Sequence, residues 1–278
     1  MALSIPDVRH SYRRRDTALY ALGLGYGDDP MDEGQLSFLD ETRIQAVPTM
    51  ANVLGYPGFW MRDLDTGIDH LKVVHGEQVL ELHNALPPEG TVIGRAKIVD
   101  LVDKGEGRGA LVYFQREITD VDTGLRLATM VQTTFCRGDG GFGGKSETDR
   151  KLPPGPKRKP DLVVEIPTPP QLALIYRLSG DYNPLHSDPA TARKAGFDRP
   201  ILHGLATFGL ACRGLMSALC SNRGSAVRRL AGRFSAPVYP GETIALDIWN
   251  EGQGQAAFKA RVPARDAVVL KSGLFDFE

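Results

Sequence analysis

Residues 179–205, SGDYNPLHSDPATARKAGFDRPILHGL, place a carboxylate, Asp181, five positions before an imidazole, His186, and just ahead of a strongly apolar stretch. A carboxylate and an imidazole facing one cavity can activate a water molecule between them, and an ordered acid–base pair contributes about 10²–10⁴-fold in rate. Asn183-Pro184 lies between the two. Proline restricts the residue before it, so the gap becomes a bend and not a helix, and both side chains can turn to the same side. Gly204 lies at the N-terminal end of the apolar stretch. A helix there offers unpaired backbone N–H groups and the positive end of its dipole to an anionic oxygen. The glycine itself, lacking a side chain, admits a substrate carbonyl. Base, acid and oxyanion donor together are what is needed to add water to a double bond conjugated to a thioester, or to remove it.

The elements that must position these groups are legible in outline. A chain of 278 residues, 42% hydrophobic and 24% charged, suits two domains, each able to bury a core. The Gly-, Pro- and charge-rich residues 138–160 cannot pack as a core element and read as the crossing between them. The expected division is an N-terminal domain over 1–145, a linker over 146–160 and a C-terminal domain over 161–278. β-branched or alternating segments at 73–82, 91–102, 110–118 and 125–136 predict strands, with a turn at Asp122-Thr123-Gly124. Only a short helix, 50–54, accompanies them. In the second part, Pro169-Pro170 opens a helix that Ser179-Gly180 ends, and Asp188-Pro189 caps another that Gly196 closes. Residues 201–219 predict a helix apolar all round, hence buried on all sides, and small residues let a sheet approach it closely. Strands follow at 228–234, 243–250, 255–262 and 268–277. A buried helix wrapped by a long antiparallel sheet is the hot-dog arrangement, an α+β fold.

Charge and cysteine usage exclude other classes. The net charge of −1 favours neither nucleic acid nor an anionic membrane, and the basic run Lys157-Arg158-Lys159 reads as a solvated linker. No apolar run approaches a membrane span, and the N-terminus lacks a signal-peptide pattern. Cys136, Cys212 and Cys220 follow no metal-ligand spacing, so a reducing, cytoplasmic setting is expected.

The stretch from Ser179, together with PILHGLATFG, closely resembles the hydratase-2 motif of the MaoC-like (R)-specific enoyl-CoA hydratases. YALGLGYG (20–27), HGEQVLELH (75–83), VDKGEGRGA (102–110), TTFCRGDGGFGG (133–144) and RFSAPVYPGETI (233–244) resemble the two-domain members of that family, in the same order. The resemblance implies a double hot-dog with a short or degenerate N-terminal helix. It implies reversible syn hydration of a (2E)-enoyl-CoA to a (3R)-3-hydroxyacyl-CoA. Asp181 and His186 would be the catalytic pair, Asn183 would orient the pair or the water, and Gly204 would donate to the thioester oxygen. Ligand contacts would fall on His75, Gly76, Lys104 and Phe234, with Lys104 suited to a CoA phosphate. The N-terminal domain would be non-catalytic and hold the acyl chain and CoA. The partners implied are an acyl-CoA thioester and a second copy in a homodimer. No cofactor is implied.

Plainer readings stand beside these. Asp65 and His70 repeat the spacing without the Asn-Pro bend or the buried helix, and read as coincidence. His70, His75 and His83 match no zinc motif, so no metal is expected. His203 reads as a satisfied residue at a helix start and Tyr182 as packing beside the site. The glycine series 138–144 looks like a phosphate loop, but no helix follows it. An acyl-CoA thioesterase or a non-catalytic acyl-thioester binding module are the alternative functions.

Overall fold

The computed structural model describes residues 3–278. Ten strands form one sheet. They are β1 Val8–Tyr12, β2 Val73–Leu82, β3 Gly90–Asp103, β4 Ala110–Asp120, β5 Arg126–Cys136, β6 Leu162–Pro167, β7 Val227–Phe234, β8 Thr243–Gly252, β9 Gln255–Val262 and β10 Ala267–Phe277. The helices are α1 Arg14–Leu22, α2 Glu33–Leu36, α3 Trp60–Asp63, α4 Leu172–Tyr176, α5 Pro189–Lys194 and α6 Gly204–Cys220.

The strand order is β1-β3-β4-β5-β2-β7-β10-β9-β8-β6. Read outward from the centre, each half repeats the other: β2 answers β7, β5 answers β10, β4 answers β9, β3 answers β8 and β1 answers β6. All pairings are antiparallel, including β2 with β7 at the seam. Glu77 lies opposite Arg233 there and Glu81 opposite Arg229. Arg233 Nε donates to Glu77 at 2.6 Å, and Arg229 approaches Glu81 at 3.8 Å. Opposed charges on facing positions pin the register, because a one-residue slip would turn every side chain to the other face.

The two halves differ in what covers the sheet. α6 has seventeen residues, twelve of them buried, and supplies the core of the C-terminal half. In the N-terminal half the corresponding place is held by a five-residue 3₁₀ turn, Pro48–Asn52, all of it buried. The short helix expected at 50–54 therefore exists, shifted two residues toward the N-terminus. α1, whose RRDTALYAL lacks an apolar stripe, and the edge strands β1 and β6, which pair on one side only, lie outside the predicted elements. No regular element occupies residues 137–161.

The glycine series has a structural explanation. The backbone N–H groups of Gly105, Gly141 and Gly143 each donate to the Asp103 carboxylate at 2.8 Å, holding its pKa below the usual carboxylate range. Gly140 (φ +133°) passes so close to the 105–109 loop that a Cβ would sit 2.7 Å from two carbonyl oxygens. The loop is an anion nest, and its anion is the chain's own aspartate.

Candidate active site

The bend at Asn183-Pro184 forms as its sequence predicts. Asn183 Oδ1 accepts from the Leu185 N–H at 3.1 Å and caps a single 3₁₀ turn, Pro184–His186. The Asn183 backbone N–H donates to Asp181 Oδ1 at 3.2 Å. The asparagine thus holds the bend with its side chain and the carboxylate with its main chain. Asp188 then caps α5 through the N–H groups of Ala190 and Thr191.

His186 is 8% exposed, and its Nδ1–H donates to the Ile201 carbonyl at 2.9 Å. A carbonyl can only accept, so the proton is on Nδ1 and the neutral ring presents Nε2 as an acceptor. Burial lowers the His186 pKa, partly opposed by the Ile201 bond and the charge of Asp181. The residues that pin it explain why α6 begins at Gly204 and not at 201. Residues 201–203 stay extended, with the Ile201 carbonyl taken by His186 and the Leu202 N–H donated to Val238.

His203 departs from the expectation of a satisfied residue. Its ring stacks on that of His186 with centroids 3.8 Å apart, and its Nε2–H donates to the Asp181 main-chain carbonyl at 3.1 Å. Its Nδ1 is buried without a partner. Burial, then the neighbouring His186, lowers its pKa to about 4, so the ring is neutral at ordinary pH. Asp181, His186 and His203 each present one oxygen or nitrogen within 4.8 Å of the others. One hydrogen-bonded water can span that separation, and the same donors also suit a divalent cation.

The first helical bond of α6 runs from the Thr207 N–H to the His203 carbonyl, leaving the N–H groups before it for a ligand. Phe234, at the end of β7, covers this helix start: a Cβ on Gly204 would lie 3.4 Å from its ring. His75 meets the other side of Phe234 edge-on, with centroids 4.7 Å apart. The seam between β2 and β7 brings them together, and Gly76 permits the bulge in β2 at this point, its missing Cβ 3.2 Å from the Thr133 carbonyl. Burial lowers the His75 pKa to about 4, against the smaller pull of Asp181. Six of the eight sequence-named residues, Asp181, Asn183, His186, Gly204, Phe234 and His75, are therefore linked by contact or charge, and Gly76 adjoins His75. Lys104 is not joined to them: it sits in the loop after β3, and among the described residues no hydrogen bond or ion pair ties its ammonium to the cluster.

Tyr182 does not pack into the site. It is 57% exposed, with the Arg177 guanidinium 5.1 Å from its ring. A residue that the sequence did not mark, Tyr56, lies near the site instead. It is 40% exposed; desolvation raises its pKa, Arg116 lowers it and the charge of Asp181 raises it further. Asp65 and His70 share no hydrogen bond among the described residues, and His70 instead meets Phe59 edge-on at 6.0 Å.

Comparisons with known proteins agree along the chain. Residues 10–138 match the MFE-2 hydratase 2 N-terminal domain and residues 151–270 the MaoC like domain. An enoyl-CoA hydratase of Mycobacterium tuberculosis is 39% identical over 99% of this chain and 96% of its own length. The peroxisomal enoyl-CoA hydratase 2 of Arabidopsis thaliana is 36% identical over 97% of this chain and 92% of its own. The crystal structure of a MaoC-like dehydratase from Phytophthora capsici superposes with a TM-score of 0.88 at 34% identity, covering 98% of this chain and 95% of that one. The fold is that family's double hot-dog, and the chain belongs to the MaoC-like hydratase 2 family.

Proposed function

We propose that this chain catalyses the reversible hydration of a (2E)-enoyl-CoA to a (3R)-3-hydroxyacyl-CoA. The observation that carries the reading is the convergence of the Asp181 carboxylate with the imidazoles of His186 and His203, the latter directly before the start of α6, in a chain whose relatives are named hydratases. One water sits between Asp181 and His186. The pair takes a proton from it as the oxygen adds to C3, and returns a proton to C2 on the same face. Charge that builds on the thioester oxygen meets the Gly204 N–H and the helix dipole, and one such donor is worth about 2.7–4 kcal/mol in the transition state. Asn183 keeps the bend and the carboxylate in place, while His75, Gly76 and Phe234 line the thioester. Lys104 reaches a CoA phosphate as a mobile point charge. Residues 161–278 carry the chemistry, and residues 1–145 hold the acyl chain and CoA.

Among the described residues no helix is long and apolar enough to cross a membrane. The three buried free thiols support a reducing, cytoplasmic setting, and the resemblance supports a homodimer, which light scattering on the purified protein tests.

The decisive assay follows loss of the conjugated-thioester absorbance with crotonyl-CoA and trans-2-decenoyl-CoA, with the chirality of the product resolved. Wild type should form the (3R) product, and Asp181→Asn and His186→Gln should each lose about 10²-fold or more. Release of free CoA without a hydroxyacyl product would establish a thioesterase instead. Binding without turnover, indifferent to Asp181→Asn, would establish a binding module.

A further inference from the structure

Arg116 lies in the middle of β4 and is 3% exposed. Its Nη2 donates to the carbonyls of Ala51 (3.2 Å) and Asn52 (2.6 Å), at the end of the short 3₁₀ turn. Its Nε and Nη1 are buried with no acceptor, and so is Nδ2 of Asn52. Among the described residues no carboxylate pairs with the guanidinium, whose nearest titratable neighbour in effect is Tyr56, its ring centroid 5.1 Å away. Burial lowers the Arg116 pKa to about 10, which still leaves it charged at neutral pH.

The apolar core is interrupted at this point. Along the same face of β4, Val112 and Phe114 join Trp60 and Met61 in one cluster, Ile118 joins the main core, and Arg116 falls between the two. Two tracks connect the gap to the candidate active site. Tyr56 stands over Arg116 and within the influence of Asp181. His75, against Phe234, bonds Gln78 at 3.0 Å, and Gln78 Nε2 donates to Asn52 Oδ1 at 2.9 Å.

A buried cation without a counter-ion, beside three donor atoms without acceptors, is a costly arrangement that a folded protein keeps where something fills it. The missing group must carry acceptor oxygens and negative charge. We infer that Arg116 and Asn52 form a receptor for a carboxylate at the distal end of the acyl chain, so that the preferred substrates are enoyl-CoA esters of dicarboxylic acids. The inference rests on the hydratase reading and names its substrate class.

The test compares equilibrium binding of saturated acyl-CoAs ending in a methyl group with those ending in a carboxylate, at matched lengths of about eight, ten and twelve carbons. Because no turnover is needed, the result stands apart from the hydration assay: a chain that binds but never hydrates fails the hydratase reading alone. In wild type the carboxylate-ended ester should bind about tenfold or more tightly at its best length, the worth of one charge-assisted hydrogen bond. Arg116→Met should reverse that preference. Since Arg116 also holds two main-chain carbonyls and its loss could disturb the fold, Asn52→Asp is the second variant. It supplies an internal counter-ion and should abolish the preference while keeping the arginine. A methyl-ended preference in wild type, or a preference ratio unchanged in both variants, would mean that water satisfies these donors and would overturn the inference.

Discussion

Replacing Gly204 by alanine separates a glycine kept for chemistry from one kept for packing. Gly204 is the first residue of α6 and has no positive φ, so alanine fits its backbone. The added methyl meets only the Phe234 ring, at 3.4, 3.6 and 3.7 Å, which is ordinary van der Waals contact. Stability should therefore hold or rise, by up to about 0.5–1 kcal/mol from the lost flexibility of glycine. On the proposed mechanism the same methyl would stand where the thioester oxygen approaches the helix N-terminus. Keeping the oxygen from one donor should lower kcat/KM about 10²–10³-fold. Gly209, one turn and a half further along the same helix, is the contrasting case. A Cβ there falls 2.6 Å from Cδ2 of the fully buried Leu24, so Gly209→Ala should cost about 1–3 kcal/mol by overpacking. Urea unfolding and initial hydration rates on both variants decide the matter. If Gly204→Ala keeps kcat/KM within about threefold of wild type, the α6 N-terminus is not the oxyanion site.

Two further expectations concern pH. Burial lowers the His186 pKa, so the acid limb of kcat/KM should have its midpoint below the ordinary 6.5; because Asp181 raises that pKa, Asp181→Asn should move the His186 titration, followed by NMR, further down, and an upward move would refute the geometry. For His75, lowered from 6.5 to about 4, the folded state disfavours the proton, so its contribution to stability is complete above 6.5 and drains as pH falls toward 4. The loss is about 3 kcal/mol at 1.36 kcal/mol per unit, and urea unfolding of His75→Asn should lack it; an identical acid slope in the variant would show that His75 is free to protonate.

What was legible in the sequence follows from how local each signal is. β2 and β9 carry their own alternation and turn boundaries and were readable to the residue, and the Asn183-Pro184 bend is written into adjacent positions. The start of α6 was misplaced by three residues because residues 201–203, apolar enough to be helical, are held extended by Val238 and His186, which lie far away in the chain. Tyr182 leaves the bend toward solvent; proximity in sequence to Asp181 does not say which way a side chain points. Tyr56, Asn52 and Arg116 had no local mark at all. They come together only because β4 and the 48–52 turn face each other, and nothing short of the tertiary fold expresses that.

The missing helix of the N-terminal half also accounts for the polar gap beneath Tyr56. In the C-terminal half, seventeen helical residues satisfy all but their last carbonyls, and the helix starts beside Asp181 and His186 with unpaired N–H groups. A five-residue 3₁₀ turn cannot do so, and its last carbonyls, at Ala51 and Asn52, end inside the protein. Arg116 meets them with Nη2, which places a charge where an apolar side chain would otherwise complete the core. A neutral donor would have sufficed for two carbonyls; a guanidinium brings hydrogens that those carbonyls do not use, and they remain unpaired at Nε and Nη1. The surplus of donors, more than the lost helix itself, supports the proposed anionic acyl terminus over a bulky hydrocarbon.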